Sequence, residues 1–308
     1  MNLAPIALFV YNRPQHTRRT VEALLNNAEA AQTALYVFSD GPRNEAARES
    51  VAEVRSYIRS IAGFKSVAIT EREINFGLAR SIIDGVTKVC EQYGRVIVVE
   101  DDLVTSPFFL AYMNEALDLY EHEEKVISIH GYVYPLKGTL PETFFIKGAD
   151  CWGWATWKRG WELFEPDGSA LLQELTQRRL TRCFDFDGTY PYINMLKSQI
   201  KGKNNSWAVR WYASAFLKDR LTLYPGRSLV RNIGHDSSGR HSSTTNAFAG
   251  AIADSRVAVE RIAIEENVEA RQRIAEFFQT GLPKLPERIV HKLTDLARRT
   301  MRKFGMRA

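Results

Sequence analysis

Three consecutive carboxylates follow an apolar stretch of the 308-residue sequence and give the first indication of chemistry. The segment RVIVVEDDLVTSPFF covers residues 95–109, and its acids are Glu100, Asp101 and Asp102. The β-branched residues before them are typical of a strand buried on both faces. Adjacent carboxylates repel one another unless a cation or a hydrogen-bond donor compensates their charge. We therefore expect a positively charged partner at the end of this strand.

A divalent cation, Mn²⁺ or Mg²⁺, is the partner that these acids favour. Successive residues leaving a strand point in alternating directions, so the three acids cannot all bind one ion. We expect Asp102 to be the direct ligand, with Glu100 and Asp101 reaching a ribose hydroxyl or a metal-bound water. Both cations are held by few carboxylates together with substrate phosphates, which favours a diphosphate substrate. Alternatively, one acid caps the next helix, but Thr105 and Ser106 already supply a cap.

Strand and helix patterns alternate over the first two-fifths of the chain. Besides the strand before the acids, strands are predicted at residues 6–11, 34–40, 66–71 and 126–132, and helices at 14–28, 43–61, 78–93 and 107–120. Short connections between them predict an α/β fold with a doubly wound, mostly parallel sheet. Ligands bind beyond the carboxyl ends of such strands. Asn12, Arg13 and Asp40 follow the first two strands and should reach the same crevice as the acids.

The character of the sequence changes after residue 131. All six tryptophans lie between residues 152 and 211, which predicts a smaller second lobe against the same crevice. Trp157, Trp161 and Phe164 fall at helical spacing and are expected in its core. A charged helical pattern returns at residues 257–278. Pro283 and Pro286 end it before the final segment.

Charge and cysteine content exclude several classes of protein. The net charge is +5, and residues 285–308 carry seven Arg or Lys against two acids, so the basic excess is confined to the tail. A nucleic-acid-binding protein usually carries its basic surface on the folded body, so we expect no nucleic-acid partner. The tail is amphipathic and predicts either peripheral membrane contact or an ordinary terminal helix. Three scattered cysteines and no signal-peptide pattern favour a reducing cytoplasm.

The acidic segment resembles the glycosyltransferases of the GT-A fold, in the branch similar to N-acetylglucosaminyltransferase I and bacterial family 2-like sugar transferases. Those enzymes carry an E-D-D motif after a buried strand, which VVEDDLVTSPFFLAYMNEAL matches. The resemblance spans residues 6–241. It implies a GT-A sheet with residues 1–130 binding the donor and an acceptor-side part at 131–250. The tail lies outside the resemblance, and its charged helical pattern predicts a C-terminal helical extension at residues 251–308.

The resemblance also implies roles for single residues on the donor side. The last acid of the motif, Asp102, contacts the metal, and the Asn-Arg pair after the first strand contacts the nucleotide. Asp40 in VFSDGP holds the nucleobase, and INFGLARSI resembles an Asn-x-Gly segment that opens a helix beside the donor. The implied donor-binding residues are Asn12, Arg13, Asp40, Asn75, Gly77, Arg80, Glu100 and Asp101. For Gly77 and Arg80 an ordinary turn and a solvated side chain remain equally good interpretations.

The segment GADCWGWATWKRGWELF, residues 148–164, resembles an acceptor loop beside the reaction centre. Trp152 and Trp154 are predicted to contact the acceptor sugar, because flat indole rings suit the C–H faces of sugars. In the relatives a catalytic Asp precedes a Trp, but Arg210 stands at that place in SWAVRWYASAF. Asp150 is therefore the first choice for the base, and its alternative role is a structural hydrogen bond in the loop. Other candidates for the base are Asp185 and Asp187.

A Gly-rich segment, YPGRSLVRNIGHDSSGRHSS, ends the second lobe and resembles a loop that closes over the donor. His241 is predicted to complete the metal site or touch a phosphate, with Asp236 orienting it. An exposed loop histidine is the alternative.

The resemblance implies an inverting transferase that uses a nucleotide-diphosphate sugar, with a UDP-sugar favoured. The acceptor would be a glycan or a lipid-linked molecule in bacterial surface polysaccharide (for example lipopolysaccharide) biosynthesis, at the inner face of the plasma membrane. A sugar nucleotidyltransferase is one alternative, although the first strand lacks the glycines of its loop. A non-catalytic carbohydrate-binding protein is another, but it would need no E-D-D motif.

Overall fold

The computed structural model describes residues 3–236 and 247–280, and its strands form one large sheet and one small one. The strands are β1 (Ile6–Val10), β2 (Ala34–Ser39), β3 (Ser66–Glu71), β4 (Arg95–Glu100), β5 (Leu103–Thr105), β6 (Val126–His130), β7 (Thr143–Lys147), β8 (Trp154–Trp157), β9 (Leu221–Pro225) and β10 (Val230–Asn232). The order in the large sheet is β3-β2-β1-β4-β8-β6-β9-β7, and β5 pairs with β10.

Ten α-helices connect the strands within the described ranges. They are α1 (Pro14–Leu25), α2 (Arg48–Arg59), α3 (Leu78–Tyr93), α4 (Phe109–Leu119), α5 (Lys158–Trp161), α6 (Gly168–Gln177), α7 (Thr181–Phe184), α8 (Tyr192–Ile200), α9 (Trp207–Leu217) and α10 (Val268–Thr280). Short 3₁₀ helices lie at Ala30–Gln32 and Glu45–Ala47.

Parallel pairing brings three strand ends to one edge of the large sheet. β1 pairs in parallel with both β2 and β4, and Val10 lies opposite Ser39 while Phe9 lies opposite Glu100. Only β7 and β8 run against the other strands of this sheet. The predicted mostly parallel α/β sheet is therefore confirmed, and the residues that follow β1, β2 and β4 meet at its carboxyl edge.

Alternating side chains of the central strands pack into two cores on the two faces of the sheet. Ile6, Leu8 and Val10 join a core shared with α1, α2 and α4, whereas Ala7 and Phe9 face a core shared with α3 and α9. This alternation follows from the two-residue period of a strand. A third core joins α6, α7, α8, α9 and α10 with β7.

The antiparallel strand β8 differs from the prediction. It lies between β4 and β6, so Trp154 and Trp157 belong to a strand rather than preceding or starting a helix. The tryptophan spacing resembled a helical one because the short helix α5 follows β8 directly. Trp157 and Trp161 are buried, as expected for core residues.

The C-terminal part is less helical than its charge pattern predicted. Residues 257–267 contain no helix; they pass beside β7, with a parallel bridge between Phe145 and Glu266, and α10 begins only at Val268. The Tyr120 hydroxyl donates to the Glu260 carbonyl oxygen at 3.0 Å, so tertiary contacts hold the segment extended. The basic tail at residues 285–308 lies outside the described residues. None of the helices described is long and apolar enough to cross a bilayer.

Candidate functional site

Arg13 is the positive partner of the acids at the end of β4. Its Nη2 donates to Asp101 Oδ1 and lies 3.1 Å from Asp102 Oδ2. The Tyr11 N–H also donates to Asp101, at 3.4 Å. The two carboxylates raise the pKa of Arg13 although burial opposes the rise. The charge of Arg13 therefore compensates the negative charges of Asp101 and Asp102.

Local sequence explains why Arg13 reaches the acids. It is the residue between β1 and α1, and Pro14 starts the helix immediately after it. A proline is well suited to the first helical position because it has no N–H to leave unpaired. The Thr20 hydroxyl, about two turns further along α1, donates to the Asp101 carbonyl oxygen at 2.9 Å. The start of α1 is thus fixed against the end of β4.

Burial acts on the carboxyl group of Glu100 at the end of β4. Burial raises its pKa to about 8, with further contributions from the charges of Asp102 and Asp101, while Arg13 acts in the opposite direction. Burial also raises the pKa of Asp101, against the effect of Arg13. The raised pKa favours the protonated form of Glu100, which would reduce the repulsion among three adjacent acids.

Residues 233–236, which we call the strap, cross over Asp102. β10 runs antiparallel to β5, and the Ile233 N–H donates to the Asp102 carbonyl oxygen at 2.8 Å. A Cβ atom at Gly234 would lie 2.2 Å from Asp102 Oδ2 and 3.0 Å from Arg13 Nη1. The close approach of the strap to the acids therefore requires a glycine at this position.

His235 of the strap has two ring nitrogens that are buried and form no hydrogen bond with the described residues. Burial lowers its pKa, and Asp102 and Asp236 oppose the shift, so the imidazole is neutral at neutral pH. Its ring centroid lies 5.5 Å from that of Trp152 and 5.8 Å from that of Phe248. A neutral imidazole is a common metal ligand in proteins.

The metal ligands available at the strap fit a divalent cation whose remaining ligands come from the substrate. Within residues 3–236 and 247–280 no three His, Cys, Asp or Glu residues form a complete metal-binding cluster. Asp102 supplies a carboxylate, and His235 supplies a buried imidazole that forms no hydrogen bond with the described residues. Diphosphate oxygens and waters commonly supply the other ligands. The predicted ligand His241 lies outside the described residues. His235 was missed because a single histidine in a polar segment has no periodic signal, although it directly follows the glycine in RNIGHDSSG.

Asp40 holds the segment that follows β3 in place through hydrogen bonds. Its carboxylate accepts the N–H groups of Phe76 and Gly77 at 2.8 and 2.9 Å and an amide hydrogen of Asn75 at 2.9 Å. It also accepts the Gly41 N–H at 3.0 Å and is only 5% exposed. Two donors on each oxygen leave the carboxylate little capacity for the predicted nucleobase contact.

The other residues of the Asn-x-Gly segment share this arrangement. The second Asn75 amide hydrogen goes to the Gly41 carbonyl oxygen at 2.8 Å, and the Gly77 N–H is engaged by Asp40. Gly77 has φ of +72°, which favours glycine. The Gly77 N–H is therefore not free for an anion. The Arg80 guanidinium lies 3.7 Å from the centroid of the Phe76 ring.

The residues that follow β1 and the residues that follow β2 lie next to each other. The Asp40 N–H donates to the Val10 carbonyl oxygen at 3.1 Å, so the segment after β2 starts beside the end of β1. Asn12 is half-buried next to Arg13. The structure thus brings Asn12, Arg13 and the acids together, with the Asp40 segment on the neighbouring strand.

Asp150 lies in an aromatic environment on the acceptor side. Its Oδ2 accepts the hydroxyl groups of Tyr134 and Tyr224 at 3.0 and 3.4 Å, and its Oδ1 accepts the Cys151 N–H at 2.8 Å. The pKa of the Cys151 thiol is raised well above its usual value by burial and by the charges of Asp150, Glu100 and Asp102. Trp152, two residues after Asp150, has its ring centroid 5.5 Å from that of His235 in the strap that crosses Asp102, so the loop bearing Asp150 lies near the acids.

The two tryptophans predicted to contact the acceptor occupy different environments. Trp152 is half-buried beside His235. Its backbone N–H donates to His130 Nε2 at 3.1 Å. Trp154 has no exposed surface and packs among Trp161, Trp207 and Trp211. The prediction for Trp154 needs correction, because the side chain lies in the core and offers no face to a sugar.

The remaining candidates for a catalytic base have structural contacts. Asp185 accepts the Ile193 N–H at 2.7 Å at the start of α8, and Asp187 forms an ion pair with Arg271. Arg210, at the place where the relatives carry an Asp, donates to the Ser206 and Pro166 carbonyl oxygens. Asp150 is the candidate whose neighbour in the loop, Trp152, packs against the strap.

Comparison with known proteins adds a match over the amino-terminal part. The GNT-I family model matches residues 1–134. Solved structures that are similar include mannosyltransferase PcManGT from Pyrobaculum calidifontis in complex with GDP-Man and Mn²⁺ (12% identity, TM-score 0.33, 43% of this chain and 36% of that one). Residues 1–349 of S. aureus TarS are also similar (12% identity, TM-score 0.41, 74% and 59%). No curated protein matches the chain.

The chain spans about a third to three-fifths of the length of these two structures. At these low identities and TM-scores, the two structures say nothing about individual residues of the site. The family match carries more information because residues 1–134 include β1, β4, Arg13 and the three acids. Residues 1–134 match the GNT-I family, which confirms the resemblance that the E-D-D segment indicated.

Proposed function

We propose that this chain is a glycosyltransferase that moves a sugar from a nucleotide-diphosphate donor and that Asp102 and His235 hold a divalent cation at the donor diphosphate. The observation that carries the proposal is the meeting of Arg13, the acids and the strap at the carboxyl edge of the sheet. Ligands of open α/β sheets bind at this edge. The family match over residues 1–134 supports the same activity.

Arg13 and the cation would act together on the diphosphate. The guanidinium already lies against Asp101 and Asp102 and is well suited to bind phosphate oxygens in pairs. When bound, Mn²⁺ or Mg²⁺ would offset the negative charge of the departing diphosphate. Asn12 lies beside Arg13 and completes the donor side, whereas Asp40, Asn75 and Gly77 keep the neighbouring segment in place.

Asp150 is our proposed general base in an inverting transfer. It would take the proton of the acceptor hydroxyl as that oxygen attacks the donor sugar. The Tyr134 and Tyr224 hydroxyls donate to the same carboxylate oxygen and would fix its orientation. Trp152 is half-buried near the strap and offers an apolar ring for a sugar.

The finer assignment rests on the resemblance alone. We propose a UDP-sugar donor and a glycan or lipid-linked acceptor of a bacterial surface polysaccharide. The basic tail at residues 285–308 would bring the cytoplasmic enzyme to the inner face of the plasma membrane. Residues 1–130 would bind the donor and residues 131–250 the acceptor.

A panel of nucleotide sugars tests the activity. The wild-type chain should hydrolyse at least one of them slowly in the presence of Mn²⁺ and release nucleoside diphosphate. Asp102→Ala should abolish this release, while Asp254→Ala, which removes an exposed acid, should keep it. Release of a sugar phosphate instead would indicate a nucleotidyltransferase. Full turnover by Asp102→Ala would refute the metal assignment.

A further inference from the structure

A groove of about 580 Å³ lies on the side of the molecule between α3 and the start of α9. Its α3 wall is formed by residues spaced three and four apart, which lie on one face of a helix. Its lining includes Arg80, Asp84, Lys88 and Glu91 on α3 and Arg210 on α9. Neither Arg13 nor the acids after β4 contribute to it. The groove is therefore separate from the proposed donor site.

Arg210 is a buried cation without an ion-pair partner among the described residues. It is 7% exposed, and its Nε and Nη1 donate to the Ser206 and Pro166 carbonyl oxygens at 3.2 and 3.0 Å. No hydrogen bond from its Nη2 reaches the described part of the chain. Burying an arginine without a counter-charge is costly. The two carbonyl oxygens hold the guanidinium at the wall of the groove, where an anion would supply the missing counter-charge.

Arg80 gives the groove a second cation without a carboxylate partner in the described ranges. Its guanidinium lies 3.7 Å from the centroid of the Phe76 ring, and this stacking holds it at the groove. Lys88, by contrast, is 3.1 Å from Asp84, which also accepts from Arg72 at 2.8 Å. The two arginines are thus the cations left for a ligand. Glu91 also lines the groove and forms no ion pair with the described residues.

We propose that this groove binds an anionic group, a phosphate or a carboxylate, between Arg80 and Arg210. The groove is long enough to accept more than the anion, because its lining continues along α3 past Thr87 to Glu91. The inference does not depend on the proposed transfer reaction, since neither arginine is needed to hold the cation at Asp102.

Calorimetric titration of the full chain tests the site with three probes: inorganic phosphate, glucuronate and neutral glucose. Both anions share the chemistry that two arginines recognise, and their relative affinities distinguish a phosphate from a carboxylate-bearing sugar as the source. Saturable binding of at least one anion is expected, with no comparable binding of glucose. Arg210→Gln and Arg80→Gln should each weaken it about tenfold or more.

Two variants separate this site from structural effects and from the donor site. The Nε, Nη1 and Nη2 atoms of Arg159 donate hydrogen bonds to the carbonyl oxygens of Glu121, Val126 and Tyr120. Arg159→Gln should therefore lower the melting temperature without changing the anion affinity. Asp102→Asn should also keep the anion affinity of the groove. Absence of saturable anion binding, or unchanged binding in both Arg210→Gln and Arg80→Gln, would overturn the proposal.

Discussion

At the scale of single residues, the sequence indicated where the chemistry lies but not how the side chains pair. The strand-end positions of Arg13 and the acids could be read from patterns of buried and polar residues. The pairing of Arg13 with Asp101 could not, because the two residues are 88 positions apart and meet only through the parallel register of β1 and β4. The sequence predicted a metal as the counter-charge, and the chain itself provides a guanidinium there as well.

Gly234 offers a test of the contact between the strap and the acids. Gly234→Ala would place a methyl group 2.2 Å from the position of Asp102 Oδ2, so the carboxylate or the strap must move. We expect nucleotide-sugar turnover to fall at least about tenfold, because small displacements of catalytic groups cost orders of magnitude in rate. The side-chain end of Asp102 can yield, so the melting temperature should change little.

Gly250→Ala is the matched control, since the nearest atom to its added methyl group lies 3.9 Å away. It should retain wild-type turnover. Wild-type turnover in Gly234→Ala as well would show that the close approach of the strap has no role in the site.

At the scale of elements, the carboxyl ends of the strands were predictable, but the function of each polar residue there was not. Asp40 follows β2 as expected, yet its carboxylate turns to the segment after β3 and accepts four hydrogen bonds. Strand patterns do not reveal such a contact between two loops. The strand β8 itself was equally hidden, because a short strand followed directly by α5 imitates helical spacing.

Asp40→Asn distinguishes a structural role from nucleobase recognition. The new amide group would face backbone N–H donors, so the free energy of unfolding should fall by about 1–3 kcal/mol even without nucleotide. Urea denaturation of the ligand-free protein measures this loss. Asp254→Asn, at an exposed loop position, should leave the stability unchanged. If Asp40→Asn keeps full stability and loses only nucleotide affinity, Asp40 contacts the base after all.

At the scale of the whole molecule, one sheet joins the parts that the sequence separates. β8 comes from the tryptophan-rich part and pairs with both β4 and β6, so the donor-side strands continue into the acceptor side. The change of composition after residue 131 was visible in the sequence, but the insertion of an antiparallel strand between β4 and β6 depends on long-range pairing. We therefore expect the two parts to unfold together.

Trp154 and Trp152 provide a matched pair for this expectation. Trp154→Ala should lower the free energy of unfolding by about 3–5 kcal/mol, because the side chain is fully buried among Trp161, Trp207 and Trp211. Trp152 is half-buried, so Trp152→Ala should cost clearly less stability while raising the KM for the acceptor. A single denaturation transition is expected for both variants. Two separate transitions, or equal stability losses, would contradict the joined sheet and core described here.

Binding of Mn²⁺ tests the central claim most directly. The six-line paramagnetic resonance signal of free Mn²⁺ is followed while the chain is titrated in the presence and absence of UDP. We predict that wild-type protein with UDP removes free Mn²⁺ from solution and that Asp102→Asn and His235→Ala each lose most of this binding, while Asp254→Asn retains it. Unchanged Mn²⁺ binding in both Asp102→Asn and His235→Ala would contradict the account.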